Sequence, residues 1–189
     1  MNQLIDEQTL LDNLQKESQR EAAYCDLISQ YKERLYWHIR AIVLNHDDTD
    51  DVLQNTFIKV FRNIDKFKGD SKLYTWMYRI ATNESITFLN KKAKRNLITS
   101  EEVKEQIIET LESDVYFEGN AIQLKLQRAI AQLPQKQQLV FNMKYFQEHT
   151  YEELSEILET SVGALKSSYH IAVKKITEQL RSEENFLIE

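Results

Sequence analysis

Lys72, Trp76, Arg79 and Asn83 recur at steps of three and four, the spacing that lines side chains along one stripe of a helix, and Asn90 continues it. A tryptophan ring among cations and amides can stack an unpaired base while its neighbours bond phosphates and base edges. That is the chemistry of single-stranded nucleic acid binding. The stripe follows Phe67, Lys68, Gly69, Asp70 and Ser71, a short segment whose glycine permits a sharp turn. Leu73, Met77, Ile80, Ala81 and Phe88 fall on the other side as a core face. The same pattern also fits a tryptophan closing the edge of a core beside a solvated basic face.

A second constellation lies towards the other end. Thr150, Tyr151, Glu152 and Glu153 have the pattern of a capping box and open a short helix carrying Leu154, Ile157 and Leu158. Glu159, Thr160 and Ser161 form a turn, and Ser161 caps a new helix predicted to run through Ile176. On it Leu165, Tyr169, Ala172 and Ile176 share one side; Gly163, Lys166, Ser167, His170 and Lys174 share the opposite one. Short helix, tight turn and a helix with a polar, basic stripe make the helix-turn-helix design, whose second helix enters the major groove. The turn lacks the glycine often found there, and two helices of a plain bundle are the other reading.

The elements that must hold these residues are helical. Three glycines and one proline in 189 residues are too few to turn a many-stranded sheet, and 42% apolar content suffices for real cores. An amphipathic helix is predicted over 22–44, with Tyr24, Leu27, Tyr31, Leu35, Ile39 and Ile42 on its buried face. Asp47, Asp48, Asp50 and Asp51 cap and charge the start of the next helix. They do not make an EF-hand, because the glycine and glutamate that loop requires are absent. The striped helix runs from near Ser71 to about Lys94, and 95–119 reads as a linker. Ala121–Leu133 is helical, and Pro134 fits the first position of the helix after it.

Net charge is -6, yet its distribution is uneven. From Phe57 to Arg95 there are ten Lys or Arg against three acids, and from Thr99 to Glu118 seven acids against one lysine. Val162 to Lys175 carries three lysines and no acid. Two basic segments joined by an acidic one suit two nucleic-acid contacts on a tether that nucleic acid repels. Cys25, the only cysteine, is expected to be a small buried side chain, and His38, His46, His149 and His170 are scattered, so neither a metal site nor an enzyme site is indicated. The longest wholly apolar run is Ala41 to Leu44 and the N-terminus is acidic, which predicts a cytoplasmic chain without membrane insertion.

With both constellations in view, the chain resembles a bacterial RNA polymerase sigma factor of the extracytoplasmic-function (ECF) group. The stretch DDTDDVLQNTFIKVFRNIDKFKGDSKLYTWMYRIATNESITFLNKKAK looks like the family's second region, and LQRAIAQLPQKQQLVFNMKYFQEHTYEELSEILETSVGALKSSYHIAVKKI looks like its fourth. The resemblance implies an all-α chain with a region 2 domain at 1–96, an acidic linker at 97–119 and a region 4 helix-turn-helix domain at 120–189. It implies a non-enzymatic initiation factor, without cofactor or metal, that directs core RNA polymerase to promoters. Asp50, Asp51, Leu53, Gln54 and Phe57 match the part that docks on the clamp helices of the largest subunit, and the flap is a further polymerase contact.

On the same resemblance, the loop from Phe67 through Lys68, Gly69, Asp70 and Ser71 to Lys72 would pocket a base extruded from the minus-ten element. Trp76 belongs to the same melting element, Asn83 would bond a base, and Lys68, Arg79, Lys91, Lys92, Lys94 and Arg95 would hold phosphates. Ser161, Gly163, Lys166, Ser167, His170 and Lys174 would face the minus-thirty-five element. An anti-sigma factor is a partner the family commonly adds. Ser168, Ile171 and Val173 stand where the family's recognition helix often has arginine, which predicts weak upstream binding. Promoter elements about 25 base pairs apart lie roughly 85 Å apart, whereas a flexible linker of about 25 residues averages 25 to 30 Å. The free chain is therefore expected to be more compact, with the acidic linker against the basic faces. The alternative is a helix-turn-helix regulator that works without polymerase.

Overall fold

A computed structural model describes residues 5–96 and 121–185; the linker expected at 97–119 lies outside them. Among the described residues all regular structure is helical. In chain order the helices are α1 (Glu7–Gln15), α2 (Arg20–Val43), α3 (His46–Asn63), α4 (Leu73–Asn96), α5 (Ala121–Ala131), α6 (Gln135–Tyr145), α7 (Tyr151–Leu158) and α8 (Val162–Asn185), with a 3-10 turn at Ile64–Lys66.

Helices α1 to α4 form one bundle. Leu27, Leu35 and Ile39 of α2, Val52 and Val60 of α3, and Leu73, Met77 and Ala81 of α4 close its core, as their spacing predicts. Helix α1 was not expected from the sequence. It is capped by Asp6, which accepts from the Gln8 amide at 2.9 Å, and it anchors Leu10 and Leu14 fully in the same core. The cap of α3 also differs from expectation. Asn45, rather than the Asp run, accepts from the Asp48 amide at 3.0 Å, and the acids follow as first-turn charges on the positive end of the helix.

The C-terminal helices follow their start signals. Pro134 sits at the cap of α6, one residue before the expected place. The capping box is complete: Thr150 Oγ1 accepts from the Glu153 amide at 3.1 Å, and Glu153 accepts from the Thr150 amide at 3.0 Å. Ser161 Oγ accepts from the Ala164 amide at 3.4 Å and α8 begins one residue later, but α8 runs to Asn185, past the expected end at Ile176. Ala129, Ile130, Leu133, Phe141, Ala172 and Ile176 form a core of their own. Cys25 is exposed rather than buried, because Ala23 and Leu27, two residues to either side of it, turn inward.

The two helical groups pack against each other. Val140, Met143, Leu154, Ile157 and Leu165 join the core of the first bundle, while Ala131 and Leu139 pack with Ile42, Leu44, Leu89 and Ala93. Helix α7 lies on α4 and α6 on α2, where Asn142 Nδ2 donates to the Ala41 carbonyl at 3.1 Å. Among the described residues the contact between the two groups is made by α6, the end of α5 and the helix-turn-helix; the acidic linker expected against the basic faces lies outside them.

Candidate nucleic-acid interface

The loop between the 3-10 turn and α4 needs a left-handed residue, and Gly69 supplies it at φ +77° with open space around the position of a Cβ. Lys68, Gly69 and Asp70 are exposed, Ser71 half-buried. Phe67 turns back onto Trp76, ring centroids 5.3 Å apart at 48°, so the loop's first residue and the helix's tryptophan form one aromatic unit. Trp76 is half-buried, and the half-buried Arg79 and exposed Asn83 follow it along the same face of α4. The solvated-edge and base-stacking readings of this stripe therefore describe the same half-exposed ring.

Two of the expected phosphate contacts, Arg79 and Lys92, and Lys72 of the pocket loop are already engaged. Arg79 Nη1 pairs with Glu159 at 3.0 Å, Lys72 lies 3.7 Å from Glu153, and Lys92 pairs with Asp48. Lys91, Lys94 and Arg95 are exposed at the end of α4. Arg79 and Asn83 line a cleft of about 180 Å³ whose far wall is built from Ile157, Leu158, Glu159, Leu165 and Ser168. The turn of the helix-turn-helix thus stands on the cationic stripe.

Glu159 is the residue that should have been glycine. It closes α7 in the left-handed conformation, φ 49°, where glycine or asparagine is strain-free, and its carboxylate instead reaches Arg79. Burial alone would raise the Glu153 carboxyl, but bonds from the Tyr74 hydroxyl and from Thr150, with His149 nearby, hold it down at about 2. Beside it His149 stacks on Tyr74, and His38 is buried between Thr82, 2.8 Å from Nε2, and Gln147, 3.1 Å from Nδ1. Burial pushes His38 down to about 3 and lowers His149 as well.

On the second site, Ser161, Gly163, Lys166, Ser167, His170 and Lys174 are all exposed along α8, opposite the buried Leu165, Ala172 and Ile176. Ser167 Oγ donates to the Gly163 carbonyl at 3.1 Å, and Lys174 lies 3.8 Å from Glu178. Ile171 and Val173 are exposed apolar side chains on the same helix. On α3, Asp50, Asp51 and Gln54 face outward, whereas Leu53 and Phe57 are buried in the bundle core and shape the helix from beneath.

Residues 27–95 match the family of sigma-70 region 2, and residues 123–176 match that of sigma-70 region 4. The ECF RNA polymerase sigma factor SigW of Bacillus subtilis is 31% identical over 168 residues, covering 84% of this chain and 89% of SigW. The ECF RNA polymerase sigma-E factor of Escherichia coli K12 is 26% identical over 196 residues, covering 96% and 97%. Two solved structures share the fold. The sigma factor RpoE of Bartonella quintana, in complex with the anti-sigma factor NepR, superposes with a TM-score of 0.64 at 20% identity over 84% of this chain and 96% of its own. CnrH, in complex with the cytosolic domain of CnrY, does so with a TM-score of 0.67 at 17% identity over 93% and 97%.

Proposed function

The chain belongs to the ECF group of the sigma-70 family of RNA polymerase sigma factors, and from that footing we propose that α4 and the loop before it capture the non-template strand of the minus-ten element. As a sigma factor it is a non-catalytic initiation factor that works with core RNA polymerase and recognises promoters through regions 2 and 4. In our reading Phe67 to Lys72 pocket an extruded base and Trp76 stacks the strand. Asn83 bonds a base edge, and Lys68, Arg79, Lys91, Lys92, Lys94 and Arg95 hold phosphates. Unstacking costs a few kcal/mol, which stacking and base-edge bonds offset. The observation that carries this is the Phe67–Trp76 ring pair at the joint between a glycine turn and a cationic helix face.

Asp50, Asp51 and Gln54 meet the clamp helices, with Leu53 and Phe57 setting the shape of that face. The exposed stripe of α8 reads the minus-thirty-five element, with few phosphate contacts because Ile171 and Val173 replace cations. The domains extend over 1–96 and 120–189, with 97–119 as the tether. Arg79 and Lys72 are taken up by Glu159 and Glu153, so the strand must displace those carboxylates and the two domains must part. The Bartonella quintana sigma factor of the same fold, bound to the anti-sigma factor NepR, supports such a partner here as well. The chain acts in the cytoplasm; among its described residues no helix is long and apolar enough to cross a membrane.

The test is transcription by the purified chain with core polymerase on a promoter library. Start-site-specific transcripts are expected. Duplex binding without polymerase association would favour the independent regulator instead. Trp76→Ala and Asn83→Ala should slow open-complex formation more than they weaken polymerase binding; equal loss of both would refute the assignment of the α4 face.

A further inference from the structure

Helix α1 lies before the region 2 match, which begins at residue 27, yet it reaches the strand-capture loop directly. Glu7 Oε1 accepts from the Leu73 amide at 2.7 Å. Leu73 is the first residue of α4, and its N–H is one of the donors that a helix start leaves without an internal partner. The preceding loop offers no cap of its own: Lys72 has no acceptor in its side chain, and Ser71 Oγ is directed at the Lys72 carbonyl. The cap comes from 66 residues away. Leu10 and Leu14, both fully buried, fix α1 rigidly enough to deliver it.

The same helix closes a cavity. Gln8, Leu11, Leu14 and Gln15 of α1 face Ile64, Asp65, Phe67, Lys68 and Gly69 across a space of about 150 Å³. A cavity of that volume takes a ring the size of benzene. Gln8 and Gln15 are exposed, Leu11 and Leu14 progressively more buried, so the site has an apolar base of Leu11, Leu14, Ile64 and Phe67 and a polar rim of two carboxamides, Lys68 and Asp65, the last paired with Arg20. Carboxamides carry both donors and acceptors and suit a base edge. Phe67 lines this cavity and also packs on Trp76, so it connects the cavity to the strand-stacking face.

We propose that α1 is the outer wall of the pocket that receives an extruded promoter base, with Glu7 the positioning residue that sets the loop by capping α4 and Gln8 and Gln15 contributing to base choice. The proposal rests on the reading of α4 as the strand-capture face. Its mechanism is geometric. With Glu7 in place the first turn of α4 is fixed, the loop from Phe67 to Lys72 spans a set distance, and the cavity keeps its width. Without it the first turn frays and the loop drifts from α1.

The experiment uses holoenzyme assembled from the full chain and core polymerase, on promoters carrying each of the four bases or an abasic site at the extruded non-template position. Open-complex formation is followed by the fluorescence of 2-aminopurine placed beside that position. Glu7→Ala should slow opening about fivefold, the worth of a lost cap, with polymerase affinity unchanged. Glu7→Gln, which keeps an acceptor, should restore the rate. Gln8→Ala with Gln15→Ala, both on exposed positions that leave the core intact, should reduce the preference for the best base over the abasic site about tenfold.

Normal rates and normal base preference in all these variants, while Trp76→Ala and Asn83→Ala are impaired, would overturn the role of α1 and leave the α4 reading standing. Normal rates in every variant, Trp76→Ala and Asn83→Ala included, would overturn both. Loss in Glu7→Ala that Glu7→Gln fails to rescue would count against the capping role.

Discussion

Acidification should open the two domains, and the size of the effect follows from His38. Its ring is sealed at the seam, Nδ1 donating to the Gln147 carboxamide oxygen of the second domain while Nε2 meets Thr82 of α4. Burial pushes it down to about 3 in this arrangement, against an ordinary value of 6.5 that parting the domains restores as the ring meets water. A group held below its ordinary value binds fewer protons in the closed arrangement. Closure is therefore fully favoured above pH 6.5 and is lost progressively as pH falls towards about 3. At pH 5.5 the open form gains about 1.4 kcal/mol from His38, or about tenfold in the open-to-closed ratio.

His149 acts in the same direction, since burial lowers it too, though less freely because the Glu153 carboxylate pulls it up while Arg34 and Lys144 push it down. Tyr74 and Tyr78, the other titratable groups facing this pair, are raised by burial and stay neutral throughout, while Glu153, held near 2, stays charged. The assay is energy transfer between dyes on the exposed Cys25 and on Lys175→Cys of α8, titrated from pH 7.5 to 5.5 with far-UV circular dichroism held constant. Transfer should fall with pH, and His38→Asn should remove most of the dependence. A flat profile, or an unchanged one in His38→Asn, would refute the reasoning.

Two further substitutions separate local stability from closure. Glu159→Gly should relieve about 1 kcal/mol of left-handed strain and raise the melting temperature while lowering energy transfer, whereas Glu159→Gln keeps the strain and loses only the charge; a fall in melting temperature for Glu159→Gly would refute this. Met77→Ala empties a fully buried site facing α2 and α3 and should cost about 2 to 5 kcal/mol in urea unfolding, with a cost below about 1 kcal/mol placing that side chain outside the core.

Much of this was legible in the sequence for identifiable reasons. The stripe through Lys72, Trp76, Arg79 and Asn83 and the core face through Leu73, Met77 and Ala81 emerge where spacing put them, because a helix packed on one bundle writes its period plainly. The capping box at Thr150 was equally plain, since its partners are three residues apart. Contacts between distant residues were not. Glu7 capping α4 leaves no local pattern, and α1 is too short for periodicity to stand out against its acidic surroundings. Asn45 was hidden by the louder Asp run that follows it. Leu53 and Phe57, part of the stretch that resembles the family's docking segment, share the inward register of Val60, which the resemblance alone does not reveal.

The seam between the domains divides its labour between apolar and polar contacts. Its apolar part, where Val140, Met143, Leu154, Ile157 and Leu165 join the first bundle's core, supplies most of the closing energy. The ion pairs contribute little of it, because Glu159 and Lys72 are largely exposed and exposed pairs are worth about 0 to 1 kcal/mol. What those pairs do is fix register, holding the turn of the helix-turn-helix over Arg79 and α7 over Tyr74. A promoter strand offers phosphates to the same cations, so exchanging a carboxylate for a phosphate costs little at each pair. Once register is lost the apolar contact has no single fit to return to. Glu159 in a place that favours glycine is consistent with this: the turn accepts strain so that a carboxylate, rather than a bare backbone, faces the cationic stripe.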